Sequence, residues 1–261
     1  MIRLLWKYRG FILGNVKREF QLKYRKSLLG AAWTIINPLA MITIYTIIFS
    51  EVMRSKLPGN LSNFSYSIYL CAGLLTWGLF TDVIVRSQNI FLDNANLIKK
   101  ITFPHMILVI VILFNAIINF SIIFCIFLVF LYINGLWPGW VSLAILPVLI
   151  IQLLLATGLG IGLGVLNVFF RDVGHIFGIF MQFWFWLTPI VYAINTLPKT
   201  IQILMLCNPM YSVVMAYQGI FVNSHLPNWI ELIYPLILGA SLCFWGLHLF
   251  RNHIGELVDE L

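Results

Sequence analysis

Charged residues are scarce in this chain of 261 amino acids. Asp, Glu, Lys and Arg together make up 10% of the sequence, against about 25% in soluble domains. Hydrophobic residues make up 61%, and the mean hydropathy is +0.95. A water-soluble core cannot enclose this much apolar surface in a chain of this length. The scarcity of charge therefore excludes an ordinary soluble domain and predicts a protein surrounded largely by lipid.

Acidic residues and catalytic motifs are lacking as well. Only 9 Asp and Glu accompany 16 Lys and Arg, giving a net charge of +7. In a membrane protein this excess indicates basic cytoplasmic loops rather than nucleic-acid binding. The sequence contains no HExxH, GxSxG, zinc-finger spacing or GxxxxGK[ST] phosphate loop. We therefore expect no enzyme active site, no metal site, and no ATP hydrolysis by the chain itself.

Paired cysteines are absent too. The four cysteines stand apart and none forms a CxxC pair. Such cysteines are usually small hydrophobic residues in helices, so neither disulfides nor metal ligands are expected.

Long apolar segments are what the sequence does contain. A hydrocarbon core about 30 Å thick requires about 20 helical residues, and the alternating pattern of a strand barrel is absent. The sequence predicts an all-α polytopic membrane protein with spans at roughly 30–52, 66–86, 105–134, 141–170, 174–194 and 232–250. The predicted divisions are an interface helix at 1–28, a six-span domain at 29–253 and a cytoplasmic tail at 254–261.

The distribution of Lys and Arg predicts the orientation. With the N-terminus inside, thirteen of the 16 basic residues fall on inner connections, and only Arg54, Lys56 and Lys199 fall outside. Both termini are therefore predicted to be cytoplasmic. Arg171 and Asp172 then form the turn between spans four and five, where they avoid the cost of about 2.5–3.5 kcal/mol for a charge at the membrane centre.

The segment before the first span has the pattern of a basic amphipathic helix. Ile12, Val16, Phe20 and Tyr24 recur every four residues, with Leu13 on the same arc. The opposite face is predicted to carry Arg18, Glu19, Arg25 and Lys26, while Lys23 interrupts the apolar stripe. Such a helix lies in the membrane interface. It either binds anionic lipids or admits an anionic lipid-linked substrate, and the sequence leaves both alternatives open.

The connection between spans two and three is longer than a tight turn requires. Asp93-Asn94-Ala95-Asn96 supplies helix-capping residues, LIKKI follows, and Pro104 ends the segment. This order predicts a short helix that lies across the cytoplasmic face. At the inner end of span two, Asp82 is predicted to pair with Arg86 one turn later; a proton relay is the alternative.

Span four carries glycines at helical spacing. Ala156, Gly160 and Gly164 share one face, and Gly158 and Gly162 share the next. Small residues in this pattern allow neighbouring helices to approach closely. A dinucleotide-binding loop is disfavoured because no strand precedes the glycines.

Aromatic residues are concentrated in span five. Phe177, Phe180 and Trp184 are predicted to share a helical face, Pro189 permits a kink, and Tyr192 adds another ring. These rings either face lipid as an interfacial belt or line a sugar pathway, and both alternatives stay open.

Two short apolar pieces follow span five, near 201–207 and 210–222. Each is too short to cross a membrane. They are predicted to be re-entrant or interfacial outer helices split at Asn208-Pro209. Irregular backbone at membrane depth requires protein or a water-filled cavity around it, which predicts a pathway beneath them.

Several of these stretches together resemble a known family. KREFQLKYRKSLLGAAWTIINPL, NANLIKKITFP, NVFFRDVGHIF, LTPIVY and NPM follow one another as in type-2 ABC exporter permeases for bacterial polysaccharides, which export O-antigen, capsule and teichoic acid. The resemblance covers nearly the whole chain. It implies a homodimer in the bacterial inner membrane, served by two copies of a separate ATPase chain that binds ATP and Mg. It also implies that the cargo is a polysaccharide linked to undecaprenyl diphosphate.

The resemblance also implies roles for individual residues. The residues implied to couple to the ATPase are Asn94, Asn96, Lys99, Lys100, Phe103, Pro104, Arg171 and Asp172. The short pieces after span five are implied to form an outer gate, with Asn208, Pro209 and Tyr211. The substrate pathway is predicted from the aromatic residues of span five themselves, with Phe177, Phe180, Trp184 and Tyr192. The residues expected to attract the lipid-linked diphosphate are Lys17, Arg18, Lys23, Arg25 and Lys26. His105 departs from the family pattern, in which a basic residue and then an acid often follow the proline.

Two alternatives remain at this point. One is a permease for small molecules or drugs on the same fold, and the other is a polytopic lipid-modifying enzyme.

Overall fold

The computed structural model describes residues 6, 8–24, 30–52, 64–100 and 104–261, without the side chains at positions 20, 22–24, 31, 50–52 and 196. None of the described residues lies in a strand, so the all-α class is confirmed for this part of the chain. The helices are α1 (Arg9–Tyr24), α2 (Trp33–Thr46), α3 (Ser65–Asp93), α4 (Ala95–Lys100), α5 (Met106–Ile133), α6 (Ile145–Phe169), α7 (Asp172–Trp186), α8 (Lys199–Met205), α9 (Pro209–Asn223) and α10 (Trp229–Glu260).

Four helices in the described ranges are long and apolar enough to cross a membrane. They are α3, α5, α10, and α6 together with the 3₁₀ turn that precedes it. The pair α8 and α9, bent by 100° at its break, would add a fifth span if it crosses as one unit. α7 has 15 residues, fewer than the roughly 20 that a hydrocarbon core requires. α2 has 14 residues, and the π-helical residues Ile47–Val52 continue it directly. The six-span topology therefore stays a prediction.

The fifth predicted span, 174–194, ends earlier than predicted. α7 stops at Trp186, and Pro189 lies in the following turn segment rather than kinking a helix. A proline has no N–H to continue a helix. The Ile190 N–H donates to the Thr188 carbonyl at 2.7 Å. The predicted span 174–194 therefore does not continue as one helix through Pro189, and the proline ends it where a kink was considered.

The C-terminal segment 254–261 continues α10 almost to the end of the chain. Leu257 is only 1% exposed and packs in one cluster with Ile98 of α4 and Phe250 of α10. The last turns are helical because they bury apolar side chains against α4. The predicted tail is thus part of the packed structure.

Glycine faces hold α6 between two other helices. A Cβ at Gly160 would lie 2.5 Å from the Ser87 Cβ of α3, and one at Gly164 would lie 2.6 Å from the Ser87 carbonyl oxygen. On the adjacent face, a Cβ at Gly158 would lie 2.6 Å from the Cys243 backbone nitrogen of α10. Real Cβ atoms do not approach this closely. The predicted close packing is confirmed, with α3 and α10 as its two partners.

α1 packs against the first turns of α5 through a face that differs from the predicted one. Ile12 is buried with Ile107 and Val111, but Leu13 is 66% exposed. Glu19, predicted on the outer face, points inward. It follows Ile12 by seven positions, about 20° short of two full turns, and therefore shares the face of Ile12. The prediction for Glu19 is wrong for this geometric reason, while Leu13 stays free to face lipid as predicted.

Candidate functional site

α4 is fixed to the end of α3 by backbone and side-chain hydrogen bonds. The Asn94 carbonyl accepts from the N–H groups of Leu97 and Ile98 at 2.9 and 3.0 Å. The Asn94 amide donates back to the Ile90 carbonyl of α3 at 2.8 Å. The predicted short helix is confirmed, and Asn94 links it to the end of α3. Its exposed side includes Asn96, Lys99 and Lys100.

α4 packs on an apolar cluster through Ile98. Ile98 is buried among residues of α3, α5, α6 and α10. Within this cluster the rings of Phe91 and Phe250 are stacked with centroids 5.4 Å apart. Pro104 lies at the start of α5, where its carbonyl accepts from the Ile107 N–H at 2.9 Å. We refer to this end of the bundle as the α4 end.

The second predicted coupling element, the turn from α6 to α7, also lies at the α4 end, beside the last turns of α3. Arg171 and Asp172 are exposed. Asp172 lies in the first turn of α7, where a negative charge is favoured by the helix dipole. Of the predicted coupling residues, Phe103 lies outside the described part of the chain.

A buried amide supports this turn. Asn167 of α6 is only 2% exposed. Its amide donates to the Gln88 carbonyl and to the Asn89 Oδ1, both at 3.2 Å. Its Oδ1 accepts from the Gly174 N–H of α7 at 2.9 Å. One side chain therefore connects α3, α6 and α7.

Asn208 is the centre of a second polar cluster, at the opposite end of α7. Its Oδ1 accepts from the Trp184 Nε1 at 2.8 Å and from the Met210 N–H at 3.0 Å, which caps α9. Its amide donates to the Thr188 Oγ1 at 2.9 Å and to the Leu187 carbonyl. The predicted break at Asn208-Pro209 is confirmed. We refer to this end of the bundle as the Asn208 end.

The segment 187–193 after α7 is held by side chains from distant helices. The Tyr69 hydroxyl lies 2.9 Å from the carbonyls of both Pro189 and Tyr192 and shares its one proton between them. The Tyr66 hydroxyl donates to the Val191 carbonyl. The buried Gln218 amide of α9 donates to the Pro189 carbonyl at 3.2 Å.

The sequence interpretation missed the roles of Tyr66, Tyr69 and Gln218. An available signal was their position as polar residues inside apolar helices, since such residues are costly there without partners.

The aromatic face of α7 is confirmed, but its rings have unequal surroundings. The rings of Phe177 and Phe180 lie 5.5 Å apart, and those of Phe180 and Trp184 lie 5.3 Å apart. Trp184 packs inward, edge-on to Phe80 at 5.3 Å and close to Trp77. Phe180 is 46% exposed. Tyr192 lies beyond the helix, where its hydroxyl donates to the Trp186 carbonyl.

A charged cluster joins α1, α3 and α5. Arg86 donates from Nε to the Asp82 Oδ1 at 2.8 Å, so the predicted pair is confirmed. Arg86 also forms an ion pair with Glu19, which accepts a further hydrogen bond from the Asn115 amide of α5. A cavity of about 330 Å³ lies between α2, α3 and α5, with Asp82 in its wall.

Of the five basic residues predicted to attract the lipid-linked diphosphate, two have described side chains. Lys17 and Arg18 are exposed on α1. Lys23 belongs to the last turn of α1, but its side chain is outside the described part, and Arg25 and Lys26 lie wholly outside it.

Comparison with known proteins places this architecture in one family. The family model described as ABC-2 type transporter matches residues 12–222. The O-antigen export system permease protein RfbA of Myxococcus xanthus is 30% identical over 263 residues, covering 100% of this chain and 99% of the relative. A protein of the same description from Klebsiella pneumoniae is 29% identical, covering 90% and 88%. The polysialic acid transport protein KpsM of Escherichia coli is 21% identical, covering 90% of each.

The family model spans well over half of the chain, and the apolar helices and their order agree with a membrane transport protein. The chain therefore belongs to the ABC-2 type transporter family.

Proposed function

We propose that the chain is the channel-forming permease of an exporter that moves a polysaccharide of the O-antigen type across the bacterial inner membrane. The observation that carries this proposal is the similarity over the full length to a permease named for O-antigen export, at 30% identity. The polymer travels linked to undecaprenyl diphosphate, and a separate ATPase subunit binds ATP and Mg.

The working unit is a dimer of six-span subunits with two ATPase subunits, and both termini of each permease are cytoplasmic. α2, with the π-helical residues Ile47–Val52 that continue it, forms the first span, and α7 forms the fifth, which falls short of the usual length. All of α7 is described, and Met181 is its only buried residue. A helix with so much apolar surface requires a cover of protein or lipid. We assign the second copy and the polymer pathway to this surface.

The pathway runs along the aromatic face of α7. Phe177 and Phe180 are placed to stack weakly on passing sugars, because aromatic rings offer apolar faces without a fixed polar partner. Trp184 and Tyr192 hold the end of α7 to the Asn208 end. Asn208, Pro209 and Tyr211 form the outer gate, where the 100° bend turns the chain back across the bundle.

The basic residues near α1 attract the diphosphate of the carrier lipid. Lys17 and Arg18 are exposed while Ile12 holds α1 to α5, so these cations are available to an anion in the membrane interface. Lys23, Arg25 and Lys26 are assigned the same role. Anionic phospholipid is the competing ligand for these five residues.

Coupling to the ATPase takes place at the α4 end, through Asn94, Asn96, Lys99, Lys100, Phe103, Pro104, Arg171 and Asp172. Movement of the ATPase is passed to α3 through α4, and to α6 and α7 through the exposed turn at Arg171.

The proposed cargo is tested in a host strain that lacks the chain. Surface polysaccharide, measured with antibody on intact cells, should disappear, and carrier-linked polymer should accumulate inside. The wild-type chain should restore export. Unchanged surface polymer combined with altered resistance to small toxic compounds would instead support a small-molecule exporter.

The proposed coupling is tested with Asp172→Arg in the same strain. Export and substrate-stimulated ATP hydrolysis should fall, while the amount of assembled complex stays near normal because Asp172 is exposed. Asp259→Arg is a matched control, since it reverses an exposed charge near the end of α10. If both variants lowered export equally, or if neither lowered it, the result would argue against a specific role of the turn.

A further inference from the structure

Both predicted ATPase contacts are attached to one short stretch of α3. α4 is attached through Asn94, whose amide donates to the Ile90 carbonyl. The α6–α7 turn is attached through Asn167, whose amide donates to Gln88 and Asn89. The attachment points therefore span only residues 88–90 of α3.

The attachment of the turn is closely packed as well as hydrogen-bonded. Asn167 and Gln88 are both buried. A Cβ on Gly174 would lie 2.9 Å from both the Asn167 Oδ1 and the Gln88 Nε2. The site therefore accepts no larger residue at position 174 without moving Asn167 or Gln88.

Asn167 has an arrangement of donors and acceptors that few side chains supply. Its amide must donate toward α3 while its carbonyl oxygen accepts from the start of α7. An Asp at position 167 would keep the hydrogen-bond acceptor but lose the donor. A Leu there would keep the side-chain volume but lose both the donor and the acceptor. A buried amide with partners on three helices orders their mutual positions.

We infer that Asn167 is a positioning residue that holds the α6–α7 turn on the same stretch of α3 that carries α4, so that displacement of one contact carries the other with it. Its role in transport rests on the proposed function, because only that proposal makes both connections ATPase contacts. Asn167 itself is buried and acts through the backbone of Gln88 and Gly174.

The positional part of this inference is tested by measuring a distance. Spin labels at Asn96→Cys and Arg171→Cys, both at exposed positions, report the separation of the two contacts in the complete complex. The four native cysteines are replaced first. We expect a narrow distance distribution in the parent and a broader one in Asn167→Asp, whose carboxylate faces the Gln88 carbonyl and the Asn89 oxygen.

Two further variants accompany Asn167→Asp in the distance measurement, one as a milder change at the same contact and one as a control. Asn89→Ala removes one of the two acceptors on α3 and should broaden the distribution less. This variant decides the question if Asn167→Asp does not assemble. Asn134→Asp is the control, since Asn134 donates only within its own helix end, to the Phe130 carbonyl at 2.8 Å. It should leave the distance distribution unchanged.

The functional part is tested by substrate-stimulated ATP hydrolysis in the reconstituted complex. Asn167→Asp should lower the stimulation by about threefold or more, within the range of mutations along coupling networks, while hydrolysis without substrate changes little. A normal distance distribution and normal stimulation, with Asp172→Arg still defective, would overturn the inference and leave the proposed function standing. Normal stimulation in both Asp172→Arg and Asn167→Asp would overturn the coupling role of the turn and the inference with it.

Discussion

α6 and α7 are consecutive helices with opposite surroundings. α6 lies between α3 and α10, and its glycines allow backbone atoms of both neighbours within contact distance. α7 follows after a turn of two residues, carries bulky aromatic side chains, and exposes Phe180, Phe183 and Trp186. The difference separates two uses of an apolar helix. The small residues of α6 build the scaffold, and the large residues of α7 leave a surface for something outside the subunit.

The polar attachments of α7 lie at its two ends. Asn167 holds its first turn, and Asn208 holds Trp184 in its last turn. Between them, Phe180 and Phe183 are exposed. A helix attached in this way is suited to transmit displacement along its axis from the α4 end to the Asn208 end.

The largest loss of stability is expected from Gly158→Ala on α6. The added methyl group meets the backbone of Cys243 and Leu242, so α6 and α10 must separate. Overpacking of this kind costs about 1–3 kcal/mol or more. The matched control is Gly178→Ala on α7, where nothing lies within 4 Å of the new Cβ. That change should be neutral or stabilising by about 0.5–1 kcal/mol. Thermal unfolding of the purified protein in detergent compares the two, and equal losses would remove the contrast between the helices.

A smaller loss is expected from Asn208→Ala at the Asn208 end. The change removes a helix cap, worth about 1 kcal/mol. It also leaves Trp184 Nε1 without that partner, at about 1 kcal/mol, the lower end of the range for a buried group, because Trp184 is only half-buried and Thr188 keeps its bond to the Trp184 carbonyl. Asn228→Ala is the matched control because Asn228 caps α10 by accepting from the Ile230 N–H. Thermal unfolding should show a clearly larger loss for Asn208→Ala, and export should fall in that variant alone. If both variants lost the same thermal stability, Asn208 would contribute no more than an ordinary helix cap.

Glu19→Gln tests whether a half-exposed ion pair attaches α1 as firmly as the buried amides attach α7. Exposed ion pairs contribute about 0.2–1 kcal/mol, so unfolding should change little. Limited proteolysis should nevertheless cleave near Lys17 and Arg18 faster, because α1 separates more often from α5. Glu256→Gln, at an exposed position of α10, should leave cleavage in α1 unchanged. Unaltered proteolysis in Glu19→Gln would mean that Ile12 alone holds the helix.

The smallest change in stability is expected from Phe183→Ala on the outer face of α7. Phe183 is 65% exposed, and such substitutions usually stay within about 0.5 kcal/mol. Export per molecule and recovery of the dimer should nevertheless fall if the second copy covers this face. Phe244→Ala on α10 is the control, since Phe244 is also highly exposed. Normal dimer recovery and export in Phe183→Ala would leave lipid as the cover of α7.

The sequence by itself determined the features that depend on neighbouring positions along a helix. The apolar length of α5, the glycine faces of α6 and the pairing of Asp82 with Arg86 all follow from periodicity within a few turns. The break at Asn208-Pro209 follows from local backbone chemistry, because asparagine caps a helix and proline favours its first turn.

Only the tertiary structure decided the features whose partners are distant in the chain. α7 ends at Trp186, and the carbonyls after it are satisfied by Tyr66 and Tyr69, more than a hundred positions away. Glu19 turns inward toward Arg86, 67 positions later, and the C-terminal turns stay helical on a surface that includes Ile98. Periodicity specifies which side chains share a face, but a buried polar group is stable only beside a partner that folding brings to it.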